Sequence, residues 1–93
     1  MERFASTITY KLFKGLSVNK IDSQIRIRAK KKITYVYIAK DLKDLLLPPS
    51  NNLEKLKGDR KNQYSIRVND KYRVCFTWIE GQAENIEFVD YHK

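Results

Sequence analysis

The chain has one cysteine and one histidine among its 93 residues. Cys75 has no partner for an internal disulfide, and His92 alone falls short of the two or three imidazoles that common zinc sites use. The sequence therefore offers neither a disulfide framework nor a built-in zinc centre. Glycine and proline are scarce, at three and two, and no Gly/Ser linker, repeat or low-complexity tract divides the chain. No apolar run approaches the roughly 20 residues that span a bilayer, and residues 1–20 lack a basic head followed by an unbroken apolar stretch. These absences lead us to expect a soluble, intracellular protein, placed in the cytoplasm, with no membrane contact. The length leaves room for one domain, residues 1–93, and for no separate cofactor domain.

Acidic residues are also scarce where basic ones gather. Residues 1–40 hold ten Lys and Arg against Glu2 and Asp22, giving 10 − 2 = +8, which equals the formal net charge of the whole chain. Such an excess suggests a polyanionic partner, because cations set against phosphates release condensed counterions. An anionic membrane, an acidic protein or plain solvation would satisfy the same charges.

What is present is a globular composition, 42% hydrophobic and 12% aromatic, above the range in which chains stay disordered. Ile21, Ile25, Ala29, Ile33 and Tyr37 recur every four residues, as the buried stripe of a helix does. Ser17 or Asn19 is the expected cap. Two features compete with helix: the alternation Ile25-Arg26-Ile27-Arg28, and the strand-forming run Ile33 to Ile38. Phe4 to Leu16 reads equally as strand or helix. Asp41 to Leu46 suggests a further helical turn, ended by Pro48-Pro49. Beyond it, Tyr64, Ile66 and Val68, then Tyr72, Val74, Phe76 and Trp78, alternate with polar residues across the turn Asn69-Asp70-Lys71. Glu80-Gly81 marks a second tight turn before a strand from Ala83 to Tyr91. The expected fold is α+β, with N-terminal helices covering one face of a three-stranded antiparallel meander, and with room for an extra N-terminal strand.

Two places carry chemistry. Leu56-Lys57-Gly58-Asp59-Arg60 puts two cations and a carboxylate around a glycine turn. Asp90-Tyr91-His92 sets a carboxylate two residues from the sole imidazole, so that a continuing strand points both to one face. Each has a structural alternative. Lys57 and Arg60 serve equally as loop cations paired to Asp59 or Glu54, and Arg73 as a strand-face arginine paired to Glu87 or Asp90. Tyr64, Tyr72, Phe76 and Trp78 share the parity of core residues. Cys75 faces away from them as a packed bystander, and Lys30-Lys31-Lys32 reads as a solvated run.

The run Leu53-Glu54-Lys55-Leu56-Lys57-Gly58-Asp59-Arg60, continued through Tyr64-Ser65-Ile66-Arg67-Val68-Asn69 and Tyr72-Arg73-Val74-Cys75-Phe76-Thr77-Trp78 and closed by Val89-Asp90-Tyr91-His92, resembles the HigB toxins of the RelE superfamily. The resemblance is strongest over residues 53–92. It implies a small domain of helices on an antiparallel sheet, and a cofactor-free toxin that cleaves messenger RNA on the ribosome. It also implies a HigA-like helix-turn-helix antitoxin, with DNA contacted only through the toxin–antitoxin complex. Carried over, its catalytic positions fall on Lys57, Arg73, Asp90, Tyr91 and His92, with Arg60 supporting the loop. On the ribosome, Lys30, Lys31 and Lys32 would then face rRNA phosphates. Some relatives carry a histidine where this chain has Glu54, and the strand-like Ile33 to Ile38 segment departs from a typical helical cover. The alternatives to a nuclease are a non-enzymatic nucleic-acid-binding module and an inactive toxin-fold protein that binds an antitoxin.

Overall fold

The computed structural model describes residues 2–91. Two helices pack on one face of a four-stranded antiparallel sheet, so the architecture is α+β. The first helix, α1 (Thr7–Phe13), begins where the Ser6 Oγ accepts a hydrogen bond from the Thr9 backbone N–H at 3.1 Å. The ambiguous N-terminal segment is thus settled by a cap that satisfies a donor the helix itself leaves orphaned. The longer helix, α2 (Ser23–Ile38), is capped by Asp22, whose Oδ1 accepts from the Ile25 N–H at 2.9 Å. Ser17 and Asn19 lie too far upstream to serve.

The buried face of α2 consists of Ala29, Lys32, Ile33 and Val36, rather than the strict four-residue series. A helix turns about 100° per residue, so a series spaced by four drifts about 40° per step off its starting face. Val36 therefore takes the core position, while Ile25 and Tyr37 are half-buried and Ile27 and Ile38 exposed. The β-branched run from Ile33 stays helical because burial of this stripe outweighs its strand propensity. Thr34 Oγ1 turns inward on the helix, donating to the Lys30 carbonyl at 2.7 Å.

After α2 the chain makes a 3₁₀ turn at Leu42–Leu46, the helical turn expected there. Asp41 accepts from the Lys43 N–H while the Asp44 carboxylate accepts from the N–H groups of Lys40 and Asp41. A second short turn, Pro49–Asn51, buries Asn51 completely. Its Nδ2 donates to the carbonyls of Leu45 and Leu47, both at 3.2 Å, tying the two turns together.

The strands are β1 (Glu54–Lys55), β2 (Gln63–Arg67), β3 (Tyr72–Ile79) and β4 (Gln82–Asp90), ordered β1-β2-β3-β4. Both expected turns form. Asn69 Oδ1 accepts from the N–H groups of Lys71 and Tyr72 at 2.9 and 2.8 Å, and Glu80 and Gly81 both take positive φ, at 51° and 82°. Two successive positive φ values give the primed hairpin whose twist matches the strands. The additional strand is Glu54–Lys55, not an N-terminal one; the N-terminus contributes only an isolated bridge, Phe4 to Ile86.

A register shift between Cys75 and Thr77, with Asn85 at φ 52°, adds one residue to β4. Ala83 and Ile86 consequently both reach the core, which simple alternation forbids. Beneath the helices lie Leu12, Ile33, Val36, Leu45, Ile66, Val74, Phe76 and Ile86, with Tyr64, Tyr72, Trp78 and Phe88 packed at the margins. The aromatic residues of β2 and β3 thus belong to the core. Among the described residues no helix is long and apolar enough to cross a membrane.

Candidate functional site on the helix-free face of the sheet

The opposite parity of the strands, Ser65 on β2 and Arg73 and Cys75 on β3, faces away from the helices, while Arg67, at the end of β2, reaches round to α2. Ser65 and Cys75 are nevertheless fully buried, and Arg73 is only 7% exposed. Asn52 and Glu54 close over Arg73, and Arg60, from the segment between β1 and β2, reaches across above Cys75. Gly58 sits at φ +67°, where a side chain is strained, and opens a short 3₁₀ turn, Gly58–Arg60. From that turn Arg60 NH1 reaches Gln63 Oε1 at 3.0 Å and Glu87 Oε1 on β4 at 3.3 Å. Glu87 is the cross-strand neighbour of Cys75, so the arginine passes over the middle strand.

Arg73 is held on three sides. Its Nε donates to Ser65 Oγ at 2.7 Å, its NH2 to the Asn52 carbonyl at 2.7 Å and, less closely, to the Ser65 carbonyl at 3.4 Å. Its NH1 lies 3.5 Å from Glu54 Oε1. The remaining side of the guanidinium faces Tyr91, 5.8 Å from the ring centre, within cation–π range. The strand-face arginine therefore has an acidic partner, and it is Glu54 rather than Glu87 or Asp90. Glu87 is taken by Arg60.

Burial pushes the Cys75 thiol up; Arg60 and Arg73 pull it down and Glu87 pushes it up further, the net being a rise. A thiol held protonated is a poor nucleophile, in keeping with a packed bystander.

The candidate residues separate into three groups. Arg73, Tyr91 and Arg60 share the helix-free face. Lys57, just before the Gly58 turn, is exposed, and its side chain makes no hydrogen bond or ion pair among the described residues. Asp90 pairs with Tyr72 across the strands and so has the parity of Phe88, which belongs to the helix side; its carboxylate lies 3.8 Å from Lys71 Nζ. His92 lies outside the described residues, as does the question of whether it shares a face with Asp90. The Tyr91 N–H donates to the Lys71 carbonyl at 2.8 Å, which anchors the end of β4 to the β2–β3 turn.

The lysine run on α2 also divides. Lys30 and Lys31 are exposed, whereas Lys32 is buried, with its Nζ 2.6 Å from Asn51 Oδ1. The expectation of a uniformly solvated run fails at Lys32 because three consecutive helical residues span about 200° of arc, and the third turns toward the core. Sequence reasoning does not single out Glu54, Ser65 and Asn52 as the partners of Arg73. Ser65 is within its reach, since the hairpin register places positions 65 and 75 opposite each other; Asn52 contributes a backbone carbonyl and leaves no side-chain signal.

The chain matches the model of a family described as HigB-like toxin, RelE-like toxin of type II toxin–antitoxin system HigB, over residues 2–92. It is 40% identical over 73 residues to Toxin HigB-1 of Vibrio cholerae serotype O1, covering 78% of this chain and 76% of that protein. It is 29% identical over 92 residues to an uncharacterized protein of Haemophilus influenzae, covering 98% and 90%. It is also 42% identical to Endoribonuclease HigB of Proteus vulgaris over 40 residues, 43% of this chain and 44% of the relative.

Proposed function

The chain belongs to the HigB-like family of RelE-like type II toxins, and from that premise we propose that it is an endoribonuclease that cuts messenger RNA on the ribosome. One observation supports this reading above the others. Arg73 and Tyr91, far apart in sequence, meet on the one sheet face the helices leave open, with Arg60 reaching over that same face. A guanidinium beside an aromatic ring suits a nucleotide: the buried Arg73 supplies positive charge behind the site, and the ring of Tyr91 stacks on a base.

RNA brings its own nucleophile. The 2′-hydroxyl gives up its proton and its oxygen bonds to phosphorus; the bond from phosphorus to the 5′-oxygen breaks, and that oxygen takes a proton. No metal is needed if positive charge meets the oxygens as they gain charge. In this proposal Arg73 and Lys57 stabilise the phosphorane, each worth on the order of 2–4 kcal/mol by analogy with the removal of anion-stabilising donors elsewhere. Arg60 orders the loop, Tyr91 positions a base and His92 moves a proton, while Asp90, whose parity sets it on the helix side of β4 beside Lys71, is a positioning residue that holds the end of the strand. Lys30 offers exposed charge to ribosomal phosphates. The antitoxin that type II membership implies is, in this proposal, HigA-like with a helix-turn-helix.

The test is induction of the wild type and of the single variants His92→Ala, Asp90→Ala and Tyr91→Ala, mapping transcript 5′ ends with and without ongoing translation. We expect codon-phased cuts only during translation, and their loss in the variants with antitoxin binding retained. Full cleavage by all three variants would refute the site. A non-enzymatic binding module would behave otherwise, losing function when Lys30, Lys31 and Lys32 are neutralised and keeping it in His92→Ala.

A further inference from the structure

Beside the catalytic face, a cavity of about 250 Å³ is lined by Arg28, Lys31 and Lys32 of α2, Ser50 of the Pro49–Asn51 turn, and Arg67 and Val68 at the end of β2. Positions 28, 31 and 32 are spaced by three and four, which stacks them on one helix face. Arg67 comes to the same cavity from the sheet. Among the described residues the one carboxylate paired to any of these four cations is Asp70, an exposed acid bonded to Arg67.

Gathering four cations around one cavity is unfavourable unless something negative enters it. Lys32 shows the effect most directly: burial lowers its pKa from the ordinary lysine value, and Lys31, Arg28 and Arg67 lower it further. Its ammonium has three N–H donors and gives one to Asn51. The cavity is smaller than the roughly 300–1,000 Å³ that organic ligands fill, and its lining is chiefly cationic. A tetrahedral oxyanion suits it: bidentate to a guanidinium, with lysine and serine donors for the remaining oxygens.

Position points to a phosphate of the substrate backbone. Arg67 is the cross-strand partner of Arg73, so the two Cα atoms are about 4.5–5.5 Å apart. An RNA strand lying over Tyr91 and Arg73 would pass Arg67 on its way to the edge of α2.

We propose that the cavity formed by Arg28, Lys31, Lys32, Ser50 and Arg67 is a phosphate-binding site that holds a backbone phosphate of the RNA strand engaged at Arg73. The identity of the polyanion rests on the nuclease reading above; the anion site itself does not.

The two are tested separately with ¹⁵N-labelled full chain. Titration with inorganic phosphate is expected to shift the amides of Lys31, Lys32, Ser50, Arg67 and Val68, and a 2′-O-methylated single-stranded RNA, which cannot be cut, is expected to displace the phosphate. The double variant Arg28→Gln/Lys31→Gln, altered only at exposed side chains, should weaken both by tenfold or more. It should also reduce the slope of log affinity against log salt by about 0.7 for each RNA phosphate that is no longer neutralised. Ser50→Ala should give a smaller loss, and the charge-matched Lys11→Gln/Lys14→Gln should keep both the phosphate shifts and the RNA affinity of the wild type to within about twofold. Absence of the shifts, their persistence in Arg28→Gln/Lys31→Gln, or an equal loss in Lys11→Gln/Lys14→Gln would overturn the site. Phosphate binding that RNA fails to displace would overturn the assignment to RNA. Loss of cleavage in Tyr91→Ala with the phosphate shifts intact supports two separable sites.

Discussion

Arg73 and Ser65 are joined by a 2.7 Å hydrogen bond from the guanidinium Nε to the hydroxyl, with both residues almost entirely out of water. A buried charged donor whose acceptor is removed is left with its desolvation cost unmet. Ser65→Ala is therefore expected to destabilise the fold by about 1–3 kcal/mol, measured by urea denaturation, and to loosen Arg73. Ser65→Thr, which retains the hydroxyl, should recover part of the RNA affinity; equal loss in both variants would point to packing alone.

Glu54 holds the NH1 side of the same guanidinium at 3.5 Å and is itself about one-third exposed. Any phosphate approaching Arg73 meets this carboxylate as a like charge. Glu54→Gln should tighten binding of uncleavable RNA by about two- to fivefold, since a partly exposed charge contact is worth about 0.5–1 kcal/mol. Fluorescence anisotropy at fixed salt reads the change, and weaker binding would show that Glu54 assists the anion.

Arg60 and Glu87 are each about one-third exposed, which limits the net worth of their pair to at most about 1 kcal/mol. A double-mutant cycle with Arg60→Met and Glu87→Gln should return a stability coupling of that size or less. A coupling above about 2 kcal/mol would mean that the loop docks mainly through this pair.

Cys75 is fully buried, with its thiol pKa raised. In the native protein at pH 8 an aromatic disulfide reagent should react no faster than the fold opens, and at the free-thiol rate in 6 M guanidinium. The raised pKa also sets a sign: the protonated thiol supports stability fully below the unfolded value near 9.0, and that support is lost as pH rises from there through the folded value.

Lys32 has the opposite sign. Its pKa is lowered in the fold from 10.5, so keeping it charged costs stability at neutral pH, and that cost is relieved as pH climbs through the depressed value toward 10.5. The stability difference between wild type and Lys32→Met, followed from pH 7 to 10.5, should move in favour of the wild type; a flat difference would mean that the amine titrates normally.

The sequence by itself determined the class of fold, the two hairpin turns and the family. Alternation from Tyr64 to Trp78, the Asn69 and Glu80-Gly81 turns and the Leu53 to Arg60 motif all act through neighbours close along the chain, where periodicity and turn chemistry are readable. What only the tertiary structure decided depends on where distant segments land. The burial of Lys32 against Asn51, the strand at Glu54–Lys55, the extra residue at Asn85 and the capture of Arg73 by Ser65, Asn52 and Glu54 all arise from packing between elements. Asp90 shows the same limit: two residues apart in a strand sets a shared parity, but which face that parity meets is decided by the register of β4 against β3. A side chain's charge is written in the sequence, whereas its partner and its exposure to water belong to the folded surface around it.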